Sequence, residues 1–281
     1  MLWYKLKHWM LTFIKYFTLV FGAFVAIVPV LVCVTTAFKD EEEYMNTNVM
    51  TLPKNFAYFD NFKDVWQQAN MGVAFQNTFI VLVVVLTGSI LFGTMLAYVL
   101  NRFKFPGNGL IRNLFLFATL IPGIATQVTV YQIMNSLGWI DKLYGYCILM
   151  MGTDIISIYI FIQFFENISV SLDESAIVDG ASYYTVFFKI LLPLLKPAII
   201  TCLILKGVGT YNEYYMSNLY LQSKDKFVTV STALFKFVGP IGSQYNFICA
   251  GVVITILPAL IIFLCCQKQI YSGLTQGSVK G

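Results

Sequence analysis

Residues 171–197 read SLDESAIVDGASYYTVFFKILLPLLKP, a stretch set between two strongly apolar runs and too polar to cross a bilayer itself. Its spacing predicts two short helices broken at a glycine. Ser171 followed three residues later by Glu174 is a capping-box pattern, in which a hydroxyl accepts from an early helical N–H and a carboxylate reaches back. Gly180 is suited to the left-handed conformation that ends such a helix. Ser182 then offers a second N-cap, and Tyr183, Val186, Phe187, Ile190 and Leu191 recur at helical spacing to give one apolar face. Pro193 and Pro197 close the stretch, since each removes a donor and restricts the residue before it.

This pattern resembles the EAA loop of ABC-importer permeases, the coupling element that docks on the transporter's ATPase. The family pattern runs E-A-A, two residues, D-G-A, a spacer ending in Phe, then hydrophobics and P-x-x-x-P. Glu174, Ala176, Asp179, Gly180, Ala181, Phe187, Pro193 and Pro197 stand in those places, with Ser175 for the first alanine. An ordinary amphipathic surface helix accounts for the apolar periodicity but not for the acidic residues, D-G-A and the paired prolines together.

The surrounding composition fits a membrane protein. Hydrophobic residues make up 58% of the 281 and charged ones 11%, with mean hydropathy +0.73. Net charge is only +4 and is not clustered, which argues against nucleic-acid binding. The six cysteines lie in or beside apolar runs without C-x-x-C spacing. Neither a zinc site nor a disulfide framework is supported, and buried thiols acting as small hydrophobes are the simpler reading.

Six runs have about the 20 residues that a membrane-spanning helix needs: 16–38, 79–100, 114–134, 144–165, 198–221 and 247–266. The third is the least apolar, with Pro122, Thr126, Gln127, Thr129 and Gln132. The first is too long for a signal-peptide core and lacks a small-residue cleavage site, so it is read as a retained helix. Lys5, Lys7 and Lys15, then Arg102, Lys104 and Arg112, then Lys268 and Lys280 all fall on one side of a six-span chain. The positive-inside bias assigns that side to the cytoplasm, and the 171–197 stretch falls there too. The expected division is a cytoplasmic N-terminus at 1–15, a first transmembrane helix at 16–38 and an extracytoplasmic segment at 39–77. A permease core at 73–266 follows, containing the coupling loop at 167–197, and then a cytoplasmic tail at 267–281.

Further resemblances run along the chain. Carbohydrate importers of this family carry an arrangement similar to Leu52-Pro53, Trp66 and Asn77, and to Ala97-Tyr98, Arg102 and Phe105-Pro106-Gly107. The ending, GLTQGSVKG, resembles that of the smaller maltose-type permease subunit, whose tail reaches the ATPase interface. The resemblance implies such contacts for Thr275, Gln276, Gly277 and Lys280.

No Walker A pattern, HExxH or GxSxG occurs, and the single histidine, His8, is near the terminus. The chain is therefore expected to be no enzyme and to carry no cofactor or metal, with ATP and magnesium on partner subunits. Asp154 and Lys206 fall within spans, where charge is costly; they read as an ion pair with each other, the alternatives being partners on the other permease subunit or an aqueous cavity. Gln127, Tyr131, Gln132 and Asn135, with Tyr211, Asn212 and Glu213, have the amides, carboxylate and aromatic faces that suit a sugar path or gate. They equally suit helix–helix packing.

The expected architecture is all-α: a polytopic membrane protein of six transmembrane helices in the type I ABC importer permease fold. The expected role is the permease subunit of an ATP-driven, binding-protein-dependent importer of carbohydrate by alternating access. Its expected partners are a second homologous permease, two ATPase subunits, an extracytoplasmic solute-binding protein and the lipid of the bacterial cytoplasmic membrane. An ABC permease for a glycerol-phosphate diester, polyamine or amino acid stays open, as does a self-contained channel or ion-coupled carrier.

Overall fold

The computed structural model describes residues 2–152, 154–239 and 243–276. Among these the chain is helical, with one isolated antiparallel bridge between Val238 and Ser243. Three helices are long and apolar enough to cross a membrane: α1 (Leu2–Ala37), α4 (Met71–Arg102) and the last helix, beginning at Tyr245. Three bent pairs supply the others, and counting each pair as one crossing gives six spans. Short helices α2 (Glu41–Asn46) and α3 (Asp60–Gln68) precede α4.

The first pair is α5 (Asn108–Thr119) and α6 (Gly123–Ser136), bent by 103°. Pro122 lies at the corner with extended backbone, and its missing N–H and steric demand on Ile121 stop α5 from continuing. The second is α7 (Leu143–Met151) and α8 (Ile155–Glu166), bent by 45°. After α9 (Ser171–Val178), the third is α10 (Tyr183–Leu194) and α11 (Lys196–Tyr211), bent by 73°. The fifth run is thus shorter than the expected 198–221: it ends at Tyr211, and α12 (Tyr215–Tyr220) is a separate helix. The last helix, α13, is Tyr245–Gln276.

The chain divides into two compact units, Met1–Met71 with Leu234–Leu260, and Gly72–Ala233 with Ile261–Gly281. In the first, α1 begins at Leu2 and runs unbroken through the 15/16 boundary expected from sequence. Phe13, Phe17 and Phe21 stack along it at successive centroid distances of 6.1 Å, as side chains four residues apart on a helix do. Beyond α1 the chain is tied down rather than loose. Asn61 donates to the carbonyls of Ala37 and Lys39 at 2.9 and 2.7 Å, and Phe38 packs on Phe56, Phe59 and Phe62. Lys39 is buried, its ammonium met by Thr47 Oγ1 and the Asn48 carbonyl at 3.1 and 2.9 Å.

The second unit is built on a core where α4, α8, α10 and α11 meet, with Tyr98, Phe161, Phe165, Phe187, Leu191 and Cys202 at its centre. Between membrane-spanning helices the gain there comes from close side-chain packing and not from removal of apolar surface from water. Asn77 ties α4 to the later connection by donating to the carbonyls of Lys226 and Val228 at 2.8 and 2.9 Å.

Candidate coupling site

The 167–197 segment folds as two helices with a glycine corner, but it begins differently from the expected capping box. Ser171 is the first residue of α9 rather than its cap, and no side chain caps that end. Its hydroxyl lies 2.7 Å from that of Ser169. The chain arrives from α8 already turning, with Glu174 N–H bonded to the Val170 carbonyl at 3.1 Å, so Ser171 sits too deep in the helix to serve. The other end is as expected. Gly180 has φ +87°, and the N–H groups of Gly180 and Ala181 close on the carbonyls of Ile177 and Ala176 at 3.0 and 2.9 Å. Those two bonds make a Schellman motif. Ser182 caps α10, accepting from Thr185 N–H at 3.3 Å.

Within α10, residues Val186–Leu191 form a π-helical run. Pro193 lies in the following turn and Pro197 in the first turn of α11. Neither proline can donate a backbone hydrogen bond, and the two helices bend by 73° between them.

The two sides of α9 differ sharply. Glu174, Asp179 and Gly180 are exposed, while Asp173 is buried. Ala176 and Ala181 are partly buried against the core. Val178 and Tyr184 are 86% and 74% exposed, so apolar surface is presented beside the acidic residues. Asp173 meets Arg102, the last residue of α4: Nε lies 2.8 Å from Oδ2, with side chains only 7% and 9% exposed. The same guanidinium donates from Nη2 to the Ile168 carbonyl at 2.9 Å and from Nη1 to the Phe165 carbonyl at 3.3 Å. The Ile168 carbonyl follows the end of α8, and the Phe165 carbonyl also accepts from Ile168 N–H at 3.1 Å. Asp173 Oδ1 is buried without a hydrogen-bond partner among the described residues. No sequence motif singles out Asp173, and Arg102 reads in the sequence as a cytoplasmic-side charge and as part of a family pattern.

Phe187 is corrected by the structure. It is buried, its ring 5.3 Å from Tyr98 and 4.9 Å from Phe188. The side chain is spent on the chain's own core, so it is not one of the ATPase-facing groups that its place in the loop pattern implies.

The Asp154–Lys206 ion pair is absent among the described residues. The Asp154 carboxylate instead caps α8, accepting from Ser157 Oγ at 2.8 Å and Ser157 N–H at 3.4 Å. The break between α7 and α8 leaves first-turn N–H donors, and the Asp154 carboxylate accepts from that turn and not from the Lys206 ammonium.

The expected path residues separate into groups. Gln127, buried, donates to the Tyr220 hydroxyl at 2.7 Å, and Tyr131 Oη accepts from Gln222 at 3.1 Å. Gln132 and Asn135 are exposed. Asn212 donates to the Val208 carbonyl at 2.9 Å, and Glu213 accepts from Met216 N–H at 2.9 Å, both local backbone bonds. Tyr211 is half-buried. Beside Tyr220 and Gln222, Asp141 sits at φ +57° and accepts from Gln222 N–H at 3.0 Å and from Ser223 N–H at 2.8 Å. It also accepts from the Ser223 hydroxyl, and the Ser223 hydrogen bonds hold its carboxyl below the usual range. Of the tail positions, Thr275 and Gln276 fall in the last turn of α13, and Gly277 and Lys280 lie outside the described residues.

Comparison with known proteins agrees with this geometry. The arabinooligosaccharide transport system permease of Halalkalibacterium halodurans is 30% identical over 93% of this chain and 94% of its own length. The galactooligosaccharide permease of Bacillus subtilis and the maltodextrin permease of Streptococcus pneumoniae are each 28% identical over 99% of this chain and 98% of their own length. A solved structure of a bacterial ABC transporter that imports the acidic polysaccharide alginate matches in fold, with TM-score 0.82 and 21% identity, over 92% of this chain and 96% of that one. The model of one family matches residues 89–272, which takes in the loop, α8, α11 and the latter part of α4. The chain belongs to the binding-protein-dependent transport system inner membrane components.

Proposed function

We propose that this chain is one of two homologous permease subunits of an ATP-driven carbohydrate importer, with oligosaccharides as its substrate class. As a family member it is a membrane-spanning transport subunit, not an enzyme, and works with an ATPase and a solute-binding protein. In the proposed assembly two ATPase subunits carry the ATP and magnesium, and the N- and C-termini lie in the cytoplasm. The segments 39–77 and 223–245 then lie outside, where the binding protein docks.

The observation that carries the reading is the two-sided coupling loop. Its exposed side offers Glu174, Asp179 and apolar Val178 and Tyr184, while its other side is bonded to the transmembrane core through Asp173. ATPase closure displaces the loop, and the spans rock between inward- and outward-facing arrangements. The sugar assignment is supported by the arabino-, galacto- and maltodextrin specificities named for relatives that align over nearly the whole chain.

The test is ATP hydrolysis by the reconstituted complex, with binding protein loaded from a panel of sugars and non-sugar solutes. Stimulation by an oligosaccharide class, lost in Glu174→Arg, is the expected result. Stimulation by a polyamine or amino acid alone overturns the carbohydrate assignment. Solute uptake that needs neither ATP nor the binding protein overturns the importer reading and returns the chain to a carrier.

A further inference from the structure

We propose that Arg102 is a positioning residue, the joint through which the loop helix α9 moves as one body with span α4. The proposal rests on the coupling role assigned to the loop above.

The guanidinium of Arg102 holds three elements at once. It ends α4, grips Asp173 of α9 at 2.8 Å, and takes the carbonyls of Phe165 and Ile168 where α8 gives way to the loop. Both charged side chains are almost sealed from water, so salt screens the pair little, unlike a surface ion pair. A planar fork with five fixed donors makes these contacts simultaneously, which a lysine's single ammonium does not. Losing the fork leaves a buried carboxylate and the Ile168 carbonyl without their Arg102 donors, so the joint resists being pulled apart.

The remaining geometry gives the joint its direction. The face of α9 turned away from Asp173 carries exposed Val178, with exposed Glu174 about 100° round the helix from Asp173, so a push arriving there is opposed by the Arg102 contact. Asp173 Oδ1, buried and unpartnered among the described residues, is a spare acceptor inside the carboxylate that Arg102 already holds. It lets Nη2 exchange the Ile168 carbonyl for Asp173 without the grip being lost when α8 and α9 shift.

Two measurements on the complete reconstituted complex test this. The first is solute taken up per ATP hydrolysed, normalised to assembled complex. Arg102→Met and Asp173→Asn are expected to lower that ratio ten-fold or more, with Arg102→Lys intermediate. A purely structural role lowers the amount of assembled complex and leaves the ratio unchanged, which overturns the proposal. The charge exchange Arg102→Asp with Asp173→Arg is expected not to rescue, since it sets a carboxylate against the Phe165 and Ile168 carbonyls.

The second measurement needs no solute. Spin labels are placed by Leu172→Cys on α9 and Phe92→Cys on α4 in a chain otherwise cleared of cysteine, and their separation is read with and without trapped ATP. One distance in both states is expected, with a second distance appearing on ATP trapping in Arg102→Met. A native distance that changes with nucleotide overturns the joint. If no loaded binding protein drives uptake, the substrate assignment fails while the distance measurement still decides the joint.

Discussion

Phe187 packs its ring against Tyr98, centroids 5.3 Å apart, so the aromatic residue at the loop's pattern position belongs to the transmembrane core. Tyr98 in turn lies 5.5 Å from Phe103, which lies 5.4 Å from Tyr183 at the start of α10. The rings form a chain from α4 to the loop. Phe187→Ala is expected to destabilise the folded subunit by about 3–5 kcal/mol, seen as a lowered melting temperature in detergent, with Phe187→Leu recovering most of it. Unchanged melting with loss of ATPase co-purification is the pattern a docking anchor gives instead.

Glu174 is exposed and makes no intramolecular ion pair among the described residues. Glu174→Arg is therefore expected to change stability by no more than about 0.5 kcal/mol while abolishing ATPase co-purification and uptake. Gly180→Leu adds a conformational cost of roughly 1–2 kcal/mol at φ +87° and also uncouples, because the corner between α9 and α10 is remade. Normal uptake at normal expression in both variants removes the docking assignment.

Asp154 and Lys206 are expected to behave independently. In a double-mutant cycle, Asp154→Asn and Lys206→Met should add within about 0.5 kcal/mol, whereas a direct pair gives a larger interaction energy. Asp154→Ala alone should cost about 1 kcal/mol through loss of the α8 cap.

The two hydrogen bonds from Asn77 reach carbonyls 149 and 151 residues away. Asn77→Leu strands both acceptors and is expected to cost about 1–3 kcal/mol each where they stay buried. Limited proteolysis near Lys226 should then become faster than in the native chain.

Asp141 carries a pH dependence whose sign follows from its hydrogen bonds. Because Ser223 stabilises the carboxylate, the folded pKa lies below the unfolded one. The contact adds stability at neutral pH and loses it as pH falls below about 4 through the folded value. The gap in melting temperature between native and Asp141→Asn protein should be widest at neutral pH and shrink on acidification.

The loop was legible in sequence wherever its geometry is local. Gly180 and Ser182 perform the roles their residue types imply because a left-handed corner and a helix cap each depend on only a few neighbouring residues. Ser171 misled because the turn running from Asn167 into α9, set by how α8 ends, carries the chain into the helix one residue too early for a cap. Pro122 gave a visible cue to the α5–α6 corner, but not its 103° angle.

Sequence by itself determined the membrane class, the six apolar runs and the loop motif, since hydropathy and short-range spacing are properties of contiguous residues. Only the tertiary structure decided which of the neighbouring carboxylates Asp173 and Glu174 faces inward, and that Asp154 caps a helix rather than pairing with Lys206. Successive helical residues point about 100° apart, so two adjacent acids are interchangeable on paper. What separates them is Arg102, 71 residues earlier in the chain, and a contact of that range exists only once the helices between have packed.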